Sequence, residues 1–202
     1  MSSACKFIDF FVHDILDYTL LNKESKNFMK DKKTFDVAVA IKEITDILND
    51  KSSLKNIKIE THLRGFDDHY LVKTDRKRLQ QVILNFLSNA IKFTDRDGKV
   101  MILVEKLFNE LRVSVVDSGL GIKKKDQKRL FTMFGSIKDE KQKINVQGVG
   151  LGLVICKLIV NKFGGEVDFF SKYKKGSTFF FTFETDEIDV QPIESRVDTE
   201  IA

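Results

Sequence analysis

The sequence is poor in cysteine and proline and has no tryptophan: two cysteines and one proline occur in 202 residues. Cys5 and Cys156 stand far apart, so neither a disulfide scaffold nor a metal-ligand spacing follows. The pair reads as reduced thiols, which places the chain in a cytoplasmic setting. A single proline and 11 glycines exclude Pro-rich and Gly/Ser-rich low complexity. No stretch reaches the roughly 18 apolar residues that span a bilayer. The longest candidate, Leu151 to Val160, contains Lys157. The N-terminus lacks the basic-then-apolar order of a signal peptide. Neither charge sign dominates: 34 basic against 30 acidic residues give +4, too mild to argue for nucleic acid. No internal repeat is visible. What remains is 42% hydrophobic and 32% charged, a soluble globular composition. The length suits one full α/β domain plus a short extra element.

Residues 4 to 22 place Phe7, Phe11, Ile15 and Tyr18 at helical spacing, with Ile8, Val12, Leu16 and Leu20 beside them. A helix this apolar ahead of the main domain needs a partner surface. Asn22 to Lys33 is lysine-rich and reads as a linker. Thr34 to Asp36 predicts a short strand, with Asp36 capping a helix that carries Val37, Ile41, Ile44 and Leu48 on one face. Ile57, Ile59 and Thr61 alternate as in a strand. Arg64 to His69 reads as a turn, and Tyr70 to Val72 as a short strand. Asp75 caps a strong helix with Leu79, Val82, Ile83, Phe86, Leu87 and Ala90 as its buried stripe. Val100 to Lys106 and Leu111 to Val116 form a hairpin turning at Asn109-Glu110. A helix is expected from about Gly150 to Phe163, stopped by Gly164-Gly165. Glu166 to Ser171 and Ser177 to Glu184 are the last strands. The main domain, residues 34–185, is therefore α+β: a two-layer α/β sandwich with a mixed sheet covered on one face by helices. Residues 186–202 hold six acids against Arg196 alone and read as a disordered tail.

Three polar constellations interrupt the pattern. Asn85 and Asn89 lie four residues apart on one helix face, with Lys92 three residues on. Amide oxygens suit a magnesium ion already holding phosphates, and a lysine meets phosphate charge; a polar flank on an ordinary helix is the plain alternative. Asp117-Ser118-Gly119-Leu120-Gly121 directly follows a strand, where a carboxylate accepts from an exocyclic amine and glycines admit a planar ring. Alone it is also a common turn. Gly148-Val149-Gly150-Leu151-Gly152-Leu153 opens a helix, where backbone N–H groups bind phosphate. It is not a dinucleotide fingerprint: the third glycine is missing at its spacing and no strand precedes it. Nor is it a Walker loop, since no Gly-Lys-Ser/Thr ends it.

Order and spacing are more specific than any single piece. Arg78 to Thr94 resembles the asparagine box of sensor histidine kinases. Val116 to Ile122 resembles their first glycine box, and Leu130-Phe131-Thr132-Met133-Phe134 their phenylalanine box. Gly148 to Leu153 resembles their second glycine box, and Lys175-Gly176-Ser177-Thr178-Phe179 their closing strand. The wider superfamily, with its Bergerat-type fold, includes DNA gyrase B, mismatch-repair and heat-shock chaperone ATPases; the phenylalanine box favours the kinase branch.

The resemblance implies ATP and Mg2+ as ligands. It assigns Asp117 to the adenine amine, with Thr178 assisting through water. Asn85 coordinates magnesium and Asn89 lines the same site. Lys92 and Phe93 flank the phosphates and sugar, and Gly119, Gly121 and Ile122 border adenine. Gly148, Val149, Gly150, Leu151, Gly152 and Leu153 shape the phosphate side. Residues 122–147 become a mobile ATP lid with eight basic residues against three acids, in which Lys141 or Lys143 meets the γ-phosphate and Phe131 and Phe134 either anchor the lid or join the core. Gln81 stands near the position where hydrolytic relatives carry a glutamate. An amide is no proton acceptor, which favours phosphoryl transfer over hydrolysis.

An acceptor histidine is the missing part. His13-Asp14 begins like the family's acceptor motif, but Ile15-Leu16-Asp17-Tyr18 departs from it. Phe11 to Leu21 instead resembles the second helix of the dimerisation hairpin, so residues 1–30 read as a partial dimerisation element and linker. The resemblance implies a homodimer through this helix, a histidine-bearing dimerisation domain upstream or on another chain, and a downstream receiver domain as partners. It implies a cytoplasmic enzyme, free or as the cytosolic part of a membrane receptor. The competing reading is a non-catalytic ATP-binding module that regulates a true kinase.

Overall fold

A computed structural model describes residues 30–66, 69–132 and 151–188. Strand β1 (Lys33–Asp36) leads into helix α1 (Val37–Leu54). The turn into the helix is fixed by Asp36, whose carboxylate accepts from the Ala38 and Val39 N–H groups at 2.7 and 3.1 Å. Val37, Ala40, Ile41, Ile44 and Leu48 give α1 its buried face. Strands β2 (Lys58–Arg64) and β3 (Leu71–Thr74) follow. Asp75 then caps helix α2 (Arg76–Phe93) by accepting from Arg78 N–H at 3.1 Å. Its other carboxylate oxygen accepts from Asp31 N–H, which ties the entering chain to the start of α2.

Strands β4 (Lys99–Lys106) and β5 (Glu110–Asp117), the single-turn helix α3 (Lys124–Gln127), helix α4 (Gly152–Lys162), and strands β6 (Val167–Lys172) and β7 (Gly176–Glu184) complete the described elements. Five strands form one mixed sheet in the order β2-β4-β5-β7-β6. β2 runs parallel to β4, and the other pairs are antiparallel. β1 and β3 pair apart from it as a two-stranded antiparallel ribbon. The helices cover one face, as the one-sided apolar patterns of both kinds of element require.

The core lies between that face and the helices. Val100, Ile102 and Val104 of β4 face it together with Leu111, Val113 and Val115 of β5. Phenylalanines supply its thickest part. Phe86 of α2 meets Phe179 and Phe181 of β7 at ring distances of 5.6 and 5.7 Å. Phe163, just beyond α4, stacks on Phe183 at 4.8 Å. Among the described residues nothing covers the opposite sheet face: Phe170 is 64% exposed, stacks on Phe180, and Phe180 in turn carries the Arg112 guanidinium.

Several boundaries differ from the sequence reading by one or two residues, three of them at connections between elements. The β4–β5 turn is Leu107–Asn109, because Glu110 already pairs with Leu107 through both main-chain bonds. β3 starts at Leu71, since the Tyr70 carbonyl is taken by Val37 N–H. α4 begins at Gly152. No helix among the described residues is long and apolar enough to cross a membrane.

Phe86→Ala removes a fully buried ring and is expected to cost about 3–5 kcal/mol in urea unfolding. Phe108→Ala, at the 93% exposed tip of the β4–β5 turn, is expected to change stability by less than about 0.5 kcal/mol. Equal effects would contradict this core.

Candidate functional site

Asp117 is the last residue of β5 and lies opposite Ser177 at the start of β7. It is 8% exposed. Its Oδ1 accepts from Gly119 N–H at 2.9 Å and from Ser177 N–H at 3.2 Å. Oδ2 makes no hydrogen bond to the described residues. Burial pushes the carboxyl above the usual aspartate range, and the two N–H donors oppose that rise. Gly119 follows because the chain runs against α2 here. A Cβ on it would stand 2.4 Å from the Phe93 carbonyl oxygen. Gly121 turns with φ +63 and faces the Lys172 carbonyl, which would meet a Cβ at 2.1 Å.

Helix α2 supplies the second wall. Asn89 Nδ2 donates to Asn85 Oδ1 at 3.1 Å, so the two amides act as one unit. Gly152, at the first turn of α4, lies against Asn85; a Cβ there would come within 2.2 Å of Nδ2. Among the described residues no side chain caps the start of α4. At the end of α2, Lys92 is half-buried, and desolvation pushes its ammonium pKa down. Its Nζ sits 5.3 Å from the centre of the 40% exposed Phe93 ring. The Phe93 carbonyl accepts from Leu120 N–H at 3.1 Å, which joins the helix to the loop after Asp117.

The third wall begins at Ile122, whose N–H donates to Ser171 Oγ at 2.8 Å. Gln127 Nε2 donates to the carbonyls of Ile122 and Ser171 at 3.0 and 3.2 Å. Leu130 is buried, and the Phe131 ring lies 6.1 Å from Phe169 of β6. Residues 122–132, expected to move as part of a lid, are thus fastened to the sheet edge. Leu151 is buried and Leu153 packs against the core, so both support the start of α4.

The contacts form separate groups: Gly119 beside Asp117 meets the end of α2 at Phe93, where Lys92 also sits; Asn85, Asn89 and Gly152 meet one another farther up α2; and Gly121 and Ile122 lie against Lys172 and Ser171 of β6. Thr178 is not among them. It pairs with Val116 and Phe170, on the open face of the sheet. The hydroxyl residue beside Asp117 is Ser177, whose Oγ lies 3.0 Å from Ser171 Oγ. Ser171 and Gln127 also escaped the sequence reading. Strand parity gives a signal for Ser177: Phe179, Phe181 and Phe183 share its side and point to the core. Gly148, Val149, Gly150, Phe134, Lys141, Lys143 and His13 lie outside the described residues.

Residues 74–187 match the family described as histidine kinase-, DNA gyrase B-, and HSP90-like ATPase. The signal transduction histidine-protein kinase BarA of Escherichia coli K12 is 36% identical over 180 residues, which cover 87% of this chain and 19% of BarA. The chain thus spans about a fifth of the length of this curated relative. Among solved structures, the catalytic domain of histidine kinase ThkA is 28% identical with a TM-score of 0.62, covering 76% of this chain and 95% of that one. ShkA, solved full-length in complex with AMPPNP, is 25% identical with a TM-score of 0.71, covering 88% of this chain and 36% of that one. ThkA has also been solved in complex with the response regulator protein TrrA, at 25% identity and a TM-score of 0.63, covering 92% of this chain and 52% of that one.

Burial dominates the shift of Asp117, so its folded pKa lies above its unfolded one. The stability linked to its proton is complete at low pH, below the unfolded pKa, and is lost as pH rises through the folded pKa. Asparagine keeps the Oδ1 acceptor without the charge. Asp117→Asn is therefore expected to melt at or above the wild-type temperature at neutral pH, with the gap closing below about pH 4. A lower melting temperature at neutral pH would contradict this balance.

Proposed function

This chain belongs to the histidine kinase-, DNA gyrase B-, and HSP90-like ATPase family, and on that premise we propose that it binds Mg-ATP and transfers the γ-phosphoryl group to a histidine presented by a dimerisation domain. One observation carries the reading: the buried carboxylate of Asp117 has one oxygen locked by two main-chain donors and the other open as an acceptor. A locked carboxylate at the end of the central strand, beside glycines that keep the approach clear, recognises an exocyclic amine by geometry. Ser177 takes the role expected of Thr178, since it shares the face of Asp117.

Asn85 would hold magnesium, and Asn89, bonded to it, would line the same site. Among the described residues no group of three His, Cys, Asp or Glu is placed to hold a metal ion. The amide pair therefore fits an ion that arrives with its own phosphate ligands, as Mg2+ does with ATP. Such an ion, when bound, would supply charge neutralisation for the transferring group. The protein's share is positioning. Asp117 orients the purine, Phe93 and Lys92 flank the sugar and phosphates, and Gly152 lets the start of α4 approach Asn85. Gln81 offers no proton acceptor, and its Oε1 already accepts from Arg78 Nη1 at 2.8 Å. Attack by an external nucleophile is favoured over attack by water.

The remaining assignments belong to the same proposal. The reading of residues 1–30 as a partial dimerisation helix and linker, part of a hairpin through which two copies would pair, falls on residues that, up to Met29, lie outside the described ones. The histidine comes from that hairpin or another chain, and a receiver domain takes the phosphoryl group onward. Residues 186–202 form an acidic tail, and the domain works in the cytoplasm.

A fluorescent ATP analogue with magnesium is expected to bind the wild type, and Asp117→Asn to weaken binding by at least about tenfold, as loss of a charge-assisted hydrogen bond predicts. Asn85→Ala is expected to abolish the magnesium-dependent part of ATP affinity and the transfer of labelled phosphate to a separately supplied histidine hairpin. Binding unchanged by Asp117→Asn would contradict the site. Binding without transfer would leave a regulatory module in its place.

A further inference from the structure

The end of α2 is closed by Lys55, the residue that follows the neighbouring helix α1. A helix leaves its last four carbonyls without intrahelical partners. For α2 these are Ala90, Ile91, Lys92 and Phe93. Ala90 accepts from Thr94 N–H at 3.0 Å. Ile91 and Lys92 both accept from Lys55 Nζ, at 2.9 and 2.8 Å. The same ammonium donates to the Thr94 carbonyl at 2.9 Å, so all three of its N–H bonds end on main-chain oxygens. Phe93 is left, and its carbonyl accepts from Leu120 N–H in the loop after Asp117.

The chain around Lys55 is itself held. Lys55 N–H donates to Ser52 O, and its carbonyl accepts from Asp97 N–H at 3.0 Å. Asn56 Nδ2 donates to Asp97 Oδ1, and Lys58 N–H to Gly98 O. The turn after α1 is clamped onto the turn after α2, and the Lys55 ammonium is its only side-chain reach to the helix end among the described hydrogen bonds. A cation there also meets the negative end of the α2 dipole.

We propose that Lys55 is a positioning residue for the nucleotide site. It holds the last turn of α2 so that the Phe93 carbonyl stays where Leu120 N–H and Gly119 can meet it. Without the ammonium, the Ile91, Lys92 and Thr94 carbonyls each lose a charge-assisted bond and the last turn loosens. Phe93 and Lys92 then move, and the loop from Asp117 to Gly121 loses its tie to the helix. The adenine side of the site is thereby coupled to a residue that touches no nucleotide. This rests on the nucleotide-binding reading above, but the coupling itself is readable without nucleotide.

Lys55→Met and Lys55→Arg in the whole chain test it, with two readouts taken well below the melting temperature. One is the affinity for the magnesium-bound fluorescent ATP analogue. The other is hydrogen exchange at the Leu120 amide without nucleotide. Lys55→Met is expected to weaken affinity about tenfold and to speed Leu120 exchange by a similar factor, the scale of lost charge-assisted bonds. Lys55→Arg, which keeps charge and donors, is expected to recover most of both. If Lys55→Met does not fold, Lys55→Gln, with two amide donors in place of three ammonium ones, serves in the same comparison and is expected to fall between. A lower melting temperature with affinity and Leu120 exchange unchanged would overturn the proposal and leave Lys55 a structural cap. Failure of the wild type to bind nucleotide would instead sink the functional reading, while Leu120 exchange would still decide the coupling.

Discussion

The account depends on one buried carboxylate. Asp117 closes β5 at a point where the next residues cannot continue the sheet, and main-chain donors from two different segments converge on its Oδ1. That convergence fixes the position of β7 relative to the turn and orients the free oxygen. The same constraint dictates its neighbours. Gly119 must lack a side chain because Phe93 O is in the way, and Gly121 must turn where Lys172 O blocks any Cβ. Among the described residues no cation pairs with Asp117, so its charge is held at a cost to stability. A carboxylate kept in an unfavourable environment by its surroundings is a functional-site candidate.

Helix α2 connects this carboxylate to the rest. Its apolar stripe buries Leu79, Val82, Ile83, Phe86 and Leu87 against the sheet. Its polar flank presents Asn85 and Asn89, one residue before Phe86 and two after Leu87. The ring of Phe86 rests on Phe179, two residues from Ser177. Packing and site are thus registered to each other along a single rigid element, which is where a precise constellation is best carried. The helix is tied at both ends. Asp75 binds the entering chain at one end, and Lys55 and Leu120 close the other.

Much of this was legible in the sequence because local physics decided it. Apolar periodicity located α1 and α2, their aspartate caps marked the starts, and alternation located the sheet strands. Spacing and order single out the Asn85–Asn89 pair on α2 and the Asp117 loop as candidates for the proposed site. What escaped depended on contacts between distant segments. Thr178 and Ser177 are adjacent hydroxyl residues, and one step of strand parity puts them on opposite faces. The choice becomes visible once Phe179, Phe181 and Phe183 are recognised as the core-facing set. The basic run after Ile122 reads as a loose lid, yet Gln127 and Ser171 fasten its beginning across 44 residues of sequence. The separate β1–β3 ribbon and the reach of Lys55 to the end of α2 likewise join segments that no local pattern connects.

The central claim is that the carboxylate loop and the amide helix enclose one nucleotide. It is tested most directly by titrating the isotope-labelled chain with Mg-AMPPNP and following NMR signals from both walls together. The account predicts that the Gly119 and Ser177 amides and the Asn85, Asn89 and Gly152 signals shift along one binding curve with a single dissociation constant. Response of one wall alone, or two separate curves, would contradict it.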